Sequence, residues 1–400
     1  MNYKMKIDGT IYLDHQATTP LDSEVFEVMK PYFGESFGNP HSADHAIGWR
    51  AAAAVEMAAG QIAAMIGADA DEVFFTSGAT EANNAALLGV AKRAAGGNRN
   101  RILLGATEHK CVLEVGRVVE RDLGYRVSHI PVDAAGRIDM DRLDSELGVD
   151  VLLVSIMAVN NEIGTIQDIE TIKGKISHYG CILHCDAAQA PCAIDMLELG
   201  RHVDMMSLSG HKMYGPMGIG ALFIRRDLQQ DVEPLVYGGG QQNGLRSGTL
   251  PTALCVGLGH ASFQMTLEKA RANRESLARR RDRLLNHLLK MPYHVASNGS
   301  SDSAHRHPGN INVRIQGVVA EDLLARVQPM LAASTGSACT SGIPEPSHVL
   351  RAIGLSEQSA AASVRLSLGK NTSDSDVDEA AQIIRKALDD IYNNGLLQSA

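Results

Sequence analysis

The chain predicts an α/β fold with a mostly parallel sheet covered by helices on both faces, followed by a smaller α+β unit. Short apolar runs alternate with helical segments through the first two thirds, and a long amphipathic segment then separates them from a short α+β region. A chain of 400 residues, 44% hydrophobic and 21% charged, is also long enough to bury a large core.

The predicted strands are short, apolar or β-branched runs separated by helical or loop segments. Such alternation is typical of parallel strands joined by helices. The runs are Glu72–Phe75, Arg101–Leu104, Val151–Ile156, Ile182–His184, Met205–Leu208 and Ala221–Ile224.

The second unit begins at the amphipathic segment, which the leucine spacing predicts to be one helix over 262–289. A loop over 299–309, a strand over 310–315, a helix over 320–327 and a last helix over 376–392 follow it. We therefore expect a large domain over 17–262 and a small domain formed by 1–16 and 263–400.

Charge and cysteine content limit the partners and the cellular compartment that we expect for this chain. A net charge of -9 creates no general attraction for polyanions, so nucleic acid and acidic membranes are not expected partners. The first residues lack the apolar run of a signal peptide, and no stretch of about 20 residues is apolar enough to span a bilayer. Six cysteines are too few for a disulfide framework in a chain of this size, and we expect a cytoplasmic protein with reduced thiols.

A small turn over 76–80 follows the first predicted strand and opens a helix over 82–91. Free N–H groups at a helix start bind phosphate well, and Gly78 allows close approach of the backbone. A plain strand-to-helix connection explains the same residues equally well.

Three further strand ends carry groups suited to an aldehyde cofactor. Lys212, after the strand over 205–208, could form an imine with pyridoxal phosphate (PLP), and Asp186 could keep the pyridine nitrogen of that cofactor protonated. Gln189 could bind the phenolic oxygen, and His109 could lie over the ring. Taken singly, a lysine is far more often a solvated surface charge, and a loop amide and a capping or surface histidine are the ordinary interpretations of Gln189 and His109.

Cys339 lies in a segment of small and polar residues over 333–344 that is unsuited to core packing. A thiol on an exposed loop can ionise and reach into a site, whereas most free cysteines are buried and inert. Cys255, in an apolar run, is predicted to be core. Cys181, Cys185 and Cys192 do not predict zinc, because alternating strand positions point their side chains apart.

Taken together, these segments resemble the cysteine desulfurases of the NifS/IscS type, which have the aspartate-aminotransferase-like PLP fold with a seven-stranded sheet and belong to the class-V aminotransferases. The matching stretches follow one another in the expected order over nearly the whole chain. They are YLDHQATTP (12–20), FGNPHS (37–42), FTSGATEANN (75–84), TEHK (107–110), VNNEIGTIQDI (159–169), HCDAAQ (184–189), SLSGHKMYGPMGIGAL (207–222), RSGTLP (246–251), GSACTSGIPEPSHVLRAIG (336–354) and VRLSLGK (364–370).

The resemblance implies a role for each matching residue. Lys212 would be the Schiff-base lysine, Asp186 the partner of the pyridine nitrogen, Gln189 the partner of the phenolic oxygen, and His109 the stacking residue and a proton carrier. The phosphate would be held by Ala79, Thr80, Ser209 and His211, and by Thr249 from the second subunit of a homodimer. Asn161 would contact the cofactor. Asn161 and Arg365 would bind the substrate carboxylate.

The activity implied is conversion of L-cysteine to L-alanine, with sulfur passing to Cys339 as a persulfide and then to an acceptor. Selenocysteine lyase, cysteine-sulfinate desulfinase and aminotransferase are alternatives on the same scaffold. No resident metal is expected, with Cys339 the candidate for transient ligation of an iron–sulfur cluster. The acceptor is left open among iron–sulfur assembly, tRNA thiolation and sulfur modification of DNA.

Two departures from the family pattern accompany the resemblance. The residues after the last helix are fewer than in members that dock an iron–sulfur scaffold, which weakens the expectation of that partner. His15 and Gln16 replace the more familiar pair before Ala17, and the sequence offers no functional account of them.

Overall fold

The computed structural model describes residues 6–336 and 347–398. In that part of the chain the strands are, in order, β1 (Lys6–Ile7), β2 (Thr10–Tyr12), β3 (Val73–Thr76), β4 (Arg101–Gly105), β5 (Arg126–Ile130), β6 (Val151–Ser155), β7 (Ile182–Asp186), β8 (Met205–Ser209), β9 (Gly220–Ile224), β10 (Val295–Ser297), β11 (Asn310–Ile315), β12 (Leu331–Ala332) and β13 (Ser363–Ser367). The α-helices are α1 (Ser23–Met29), α2 (Ala46–Ile66), α3 (Ala79–Arg93), α4 (Lys110–Leu123), α5 (Met140–Glu146), α6 (Ile169–Ser177), α7 (Met196–Gly200), α8 (Thr252–Thr266), α9 (Glu268–Leu289), α10 (Ala320–Val327), α11 (His348–Ala352), α12 (Glu357–Ala361) and α13 (Asp374–Gln398).

A seven-stranded sheet organises the larger part of the molecule, in the order β3-β9-β8-β7-β6-β4-β5. Strands β4 to β8 run parallel to their neighbours among themselves, while β9 pairs antiparallel with both β3 and β8. The predicted mostly parallel α/β sheet is confirmed. Because β7 and β8 are parallel neighbours, Asp186 and Ser209 lie at the same edge of the sheet.

Both faces of this sheet are buried, which explains its continuous apolar strands. Alternating side chains point to opposite faces. Leu103 and Val154 join the apolar cluster that includes α2 and α8, whereas Leu104 and Leu153 join the cluster that includes α3 and α4. The helices on both faces leave the carboxyl ends of the strands as the open edge.

A second core lies among α9, α10, α13 and the antiparallel sheet β10-β11-β13. Ile11 and Leu13 from the N-terminal segment belong to this core, and a bridge pairs Asp14 with Ser367. The chain then passes directly from Asp14 to the residues beside Lys212. Residues 14–19 therefore connect the second core to the edge of the large sheet.

One predicted element is wrong. The helix expected over 262–289 is two helices, because Leu267 adopts an extended conformation (φ -76, ψ 148) between α8 and α9. The strand over 310–315 and the helix over 320–327 agree with the prediction. None of the helices in the described ranges is both long and apolar enough to cross a membrane.

Candidate active site

The side chains of Lys212 and Gln189 donate hydrogen bonds to the same backbone carbonyl. The Lys212 Nζ donates to the carbonyl oxygens of Gln16 at 2.6 Å and Ala17 at 2.7 Å, and Gln189 Nε2 donates to the same Gln16 oxygen at 2.9 Å. Gln189 follows β7 and Lys212 follows β8, so the parallel pairing of these strands brings them together. Residues 16 and 17 therefore position the predicted cofactor lysine through their main chain.

Asp186 is a buried acceptor at the end of β7, with only 4% of its surface exposed. Its Oδ1 accepts the Ala188 N–H at 2.9 Å, and its Oδ2 accepts from Asn83 Nδ2 at 2.7 Å. Each oxygen of this buried side chain therefore already accepts one hydrogen bond, which fixes the orientation of the carboxyl group.

His109 caps α4 and is connected to Asp186 through two other side chains. Its Nδ1 accepts the Cys111 N–H at 3.2 Å and lies 3.0 Å from Cys111 Sγ. Asn83 Nδ2, which donates to Asp186, also lies 3.2 Å from that sulfur. The predicted stacking histidine and the predicted partner of the ring nitrogen thus belong to one network.

The predicted phosphate end of the site lies at the start of α3. Gly78 precedes the helix with φ 152, and no side chain caps the first turn that contains Ala79 and Thr80. Glu81 accepts the Ser77 N–H and forms a 2.8 Å salt bridge with Arg246, which fixes the turn. This leaves first-turn N–H groups directed away from the helix, as anion binding requires.

Ser209 and His211 border the same region from the end of β8. Ser209 is 3% exposed, and His211 Nδ1 lies 3.1 Å from Thr18 Oγ1. Burial, aided by the neighbouring Lys212 charge, lowers the pKa of His211 to about 4. His211 is therefore neutral near pH 7 and offers a hydrogen bond rather than a charge.

Arg365, on β13, is the buried guanidinium of the site. It donates from NH2 to Asp14 Oδ1 at 2.7 Å and from NH1 to the Asn161 carbonyl at 2.7 Å. Its Nε is buried and lacks a hydrogen-bond partner among the described residues. The structure thus brings Asn161 to Arg365 through its main chain.

Two predicted residues stand apart from this network. Thr249 is exposed before α8, and no hydrogen bond joins it to the other predicted residues in the described part of its own chain. Cys339 lies outside the described residues. Described residues on each side of it lie at the site: the Gly336 carbonyl is 3.5 Å from Arg365 NH1, and His348 Nε2 is 2.9 Å from the Glu108 carbonyl oxygen.

Sequence reasoning missed three contributors: the carbonyls of Gln16 and Ala17, and the side chain of Asn83. Main-chain carbonyls leave no signal in the residue type. Asn83 did leave one, because it follows Ala79 by four positions and so lies on the same helix face as the predicted phosphate turn.

The family model for class-V aminotransferases matches residues 11–380. The chain belongs to the class-V aminotransferase family. A relative named cysteine desulfurase IscS, from Rickettsia felis, is 44% identical over 383 residues, covering 95% of this chain and 91% of its own. Its identity and coverage place this class-V chain among the cysteine desulfurases.

Solved structures share the fold of this class-V chain. A NifS-like protein superposes with a TM-score of 0.87 at 31% identity, covering 94% of this chain and 99% of its own. The protein SspA, solved in complex with cysteine, gives 0.77 at 36% identity, covering 89% and 98%. Class-V aminotransferases and cysteine desulfurases are in general PLP-dependent.

Proposed function

We propose that this chain is a PLP-dependent cysteine desulfurase that transfers the sulfur of free L-cysteine to Cys339 and releases L-alanine. The observation that carries the proposal is the meeting of Lys212 and Gln189 on the Gln16 carbonyl, beside the buried carboxylate of Asp186. The names of the relatives point to the same reaction.

The residues present fit PLP at each of its polar groups. Asp186 offers an ionised carboxylate to the ring nitrogen, Gln189 an amide to the phenolic oxygen, and Lys212 an amine to the aldehyde. Ala79, Thr80, Ser209 and His211 would hold the phosphate at the start of α3. Bound there, PLP supplies an electron sink that makes the α-proton of an amino acid acidic.

Protein groups then bind the substrate and move its protons. Arg365 would take the cysteine carboxylate through Nε, the guanidinium nitrogen that has no partner among the described residues. Lys212, once released from its two carbonyl acceptors, would carry the α-proton, with His109 as the second carrier.

The sulfur step needs a thiolate close to the bound cysteine. Cys339 is three residues beyond Gly336, and three residues span at most about 11 Å, so the thiol can reach the neighbourhood of Arg365. Its thiolate would attack the substrate sulfur, forming an S–S bond as the carbon–sulfur bond breaks. The electron pair from that bond is protonated on carbon, giving alanine and a Cys339 persulfide with no external oxidant.

We propose a homodimer in which Thr249 completes the phosphate site of the partner subunit. Large apolar side chains stay exposed on one chain, among them Phe33, Phe37, Trp49 and Tyr237, each more than 55% accessible. Such a surface is typical of an interface. Sedimentation at twice the chain mass would support this assembly, and sedimentation as a monomer would contradict it.

The acceptor of the persulfide sulfur is a thiol of another molecule, open among iron–sulfur assembly, tRNA thiolation and sulfur modification of DNA. We place the reaction in the cytoplasm, since the cysteines of the described residues are free thiols.

Cys339→Ala is the direct test of this function. Without the thiol, alanine formation from cysteine should fall by about three orders of magnitude or more, because the nucleophile is lost while the cofactor site is intact. The measurement is alanine released per unit time in the presence of a reducing thiol. An aminotransferase or a selenocysteine lyase would keep its activity.

Cys192→Ser is the matched control. Cys192 Sγ donates to the Lys212 carbonyl at 3.5 Å, and serine keeps a donor there. The control should keep alanine formation close to wild type. Equal losses in both variants would refute the assignment of Cys339.

A further inference from the structure

Glu108 is a buried carboxyl that the proposed reaction does not use. Only 1% of its surface is exposed. Its Oε1 accepts the Met157 N–H, and its Oε2 has no hydrogen-bond partner among the described residues. It precedes His109 in the chain, and its electrostatic environment includes the Asp186 carboxylate.

A buried carboxyl favours its neutral form unless a cation or several hydrogen-bond donors stabilise its anion. No salt bridge reaches Glu108 or Asp186 in the part of the chain that the structure describes. The other titratable groups facing Glu108 are the thiols of Cys111 and Cys185 and the imidazole of His109, while His348 contacts only its carbonyl. No ion pair therefore stabilises the anion of Glu108 among the described residues.

Hydrogen-bond donors distinguish the two carboxyls. Asp186 receives one N–H on each oxygen, from Ala188 and Asn83. Glu108 receives one N–H on a single oxygen, and its other oxygen has no hydrogen-bond partner among the described residues. The proton is accordingly favoured on Glu108.

We propose that Glu108 is a positioning residue that stays protonated and thereby reserves the single negative charge of this pocket for Asp186. Burial, with the Asp186 charge as the second cause, raises the pKa of Glu108 well above its usual value. This inference rests on the proposed function only where it assigns Asp186 to the pyridine nitrogen.

The experiment compares the stability of the holoenzyme and its Glu108→Gln variant as a function of pH. An acid whose pKa is raised by folding stabilises the native state fully below its unfolded pKa, and this stability is lost as pH rises toward the folded value. The wild type should therefore lose stability relative to E108Q between about pH 5 and pH 8, by up to about tenfold in the unfolding constant per pH unit.

Glu81→Gln is the control with the opposite sign. The Arg246 and Ser77 hydrogen bonds outweigh burial and lower the pKa of Glu81, so its stabilisation is complete above the unfolded value and is lost only in acid. The difference between wild type and E81Q should thus be constant from about pH 5 to pH 8. A constant difference for E108Q as well would overturn the inference.

Two further measurements separate this inference from the proposed function. Infrared spectra of the wild type should contain a protonated carboxylic acid band that E108Q lacks, and its absence from the wild type overturns the inference even if E108Q folds poorly. The PLP dissociation constant should be unchanged in E108Q, and weakening by about tenfold would contradict a neutral Glu108. A wild type that shows the band but forms no alanine would refute the proposed function alone.

Discussion

In the proposed site, Arg365 would contact both the surrounding protein and the substrate. Its two terminal nitrogens hold Asp14 and the Asn161 carbonyl, so the guanidinium is oriented before any substrate arrives. A planar donor with several fixed N–H groups can do this, whereas an ammonium group cannot.

Arg365→Lys should therefore raise KM for cysteine more than it lowers kcat. Lysine keeps the charge but loses Nε, and a charge-assisted hydrogen bond contributes about 1.5–3 kcal/mol, or roughly 10- to 150-fold in KM. Steady-state alanine formation over a range of cysteine concentrations measures both constants.

Arg281→Lys provides the comparison, because Arg281 is equally buried at 3% exposure but donates to the His307 carbonyl, outside the proposed site. Its KM should match the wild type. A similar KM for Arg365→Lys and wild type would show that Arg365 does not bind the carboxylate.

Residue types predicted candidate site residues but not the contacts that join them. Lys212, Asp186 and Gln189 could be proposed from sequence because each is a polar side chain that closely follows an apolar strand. The carbonyls that hold Lys212 could not be found, since every residue has one. Gln16, which had no functional account from sequence, acts here through its main chain.

The start of α3 is the element on which the proposed phosphate binding depends. Gly78 has φ 152, a conformation that L-residues adopt only with strain, although a Cβ there would meet no atom within 4 Å. The constraint on this position is therefore one of backbone conformation alone.

Gly78→Ala should shift this turn and weaken PLP binding. The strain of about 1–3 kcal/mol corresponds to roughly 5- to 150-fold in the dissociation constant if the loss falls on the binding conformation. Titration of apoprotein with PLP, followed by absorbance, measures the change.

Gly174→Ala, in α6, is the control, since a Cβ there also meets nothing within 4 Å and its φ is not positive. That substitution should leave PLP affinity unchanged and stabilise the helix by about 0.5–1 kcal/mol. Equal PLP affinity in both variants would remove the special role of Gly78.

Helices and strands were predictable where a single pattern of apolar residues extended over the whole segment. The alternation over 310–315 and the helical spacing over 320–327 gave correct bounds. At Leu267 the apolar pattern continues across a break in the backbone, so spacing alone could not separate α8 from α9. Strand β5 was missed because it lies at the sheet edge, where Arg126 and His129 remain exposed.

At the scale of the whole molecule, the site depends on segments that are far apart in sequence. Asp14 from the N-terminal segment, Arg365 from the small sheet and Lys212 from the large sheet are joined through residues 14–17. The proposed domains, 17–262 and 1–16 with 263–400, therefore meet at the site itself. A change in the relative position of these domains would alter the distance between the guanidinium of Arg365, the proposed substrate-binding residue, and the amine of Lys212, the proposed cofactor lysine.

The most direct test of the whole account is the location of the sulfur after one turnover. Enzyme containing PLP is mixed with one equivalent of cysteine without reductant, its thiols are alkylated, and the digested peptides are weighed. The account predicts one equivalent of alanine and one additional sulfur atom on the peptide that contains Cys339. Alanine formed with the extra sulfur on another cysteine, or with none on the protein, would contradict it.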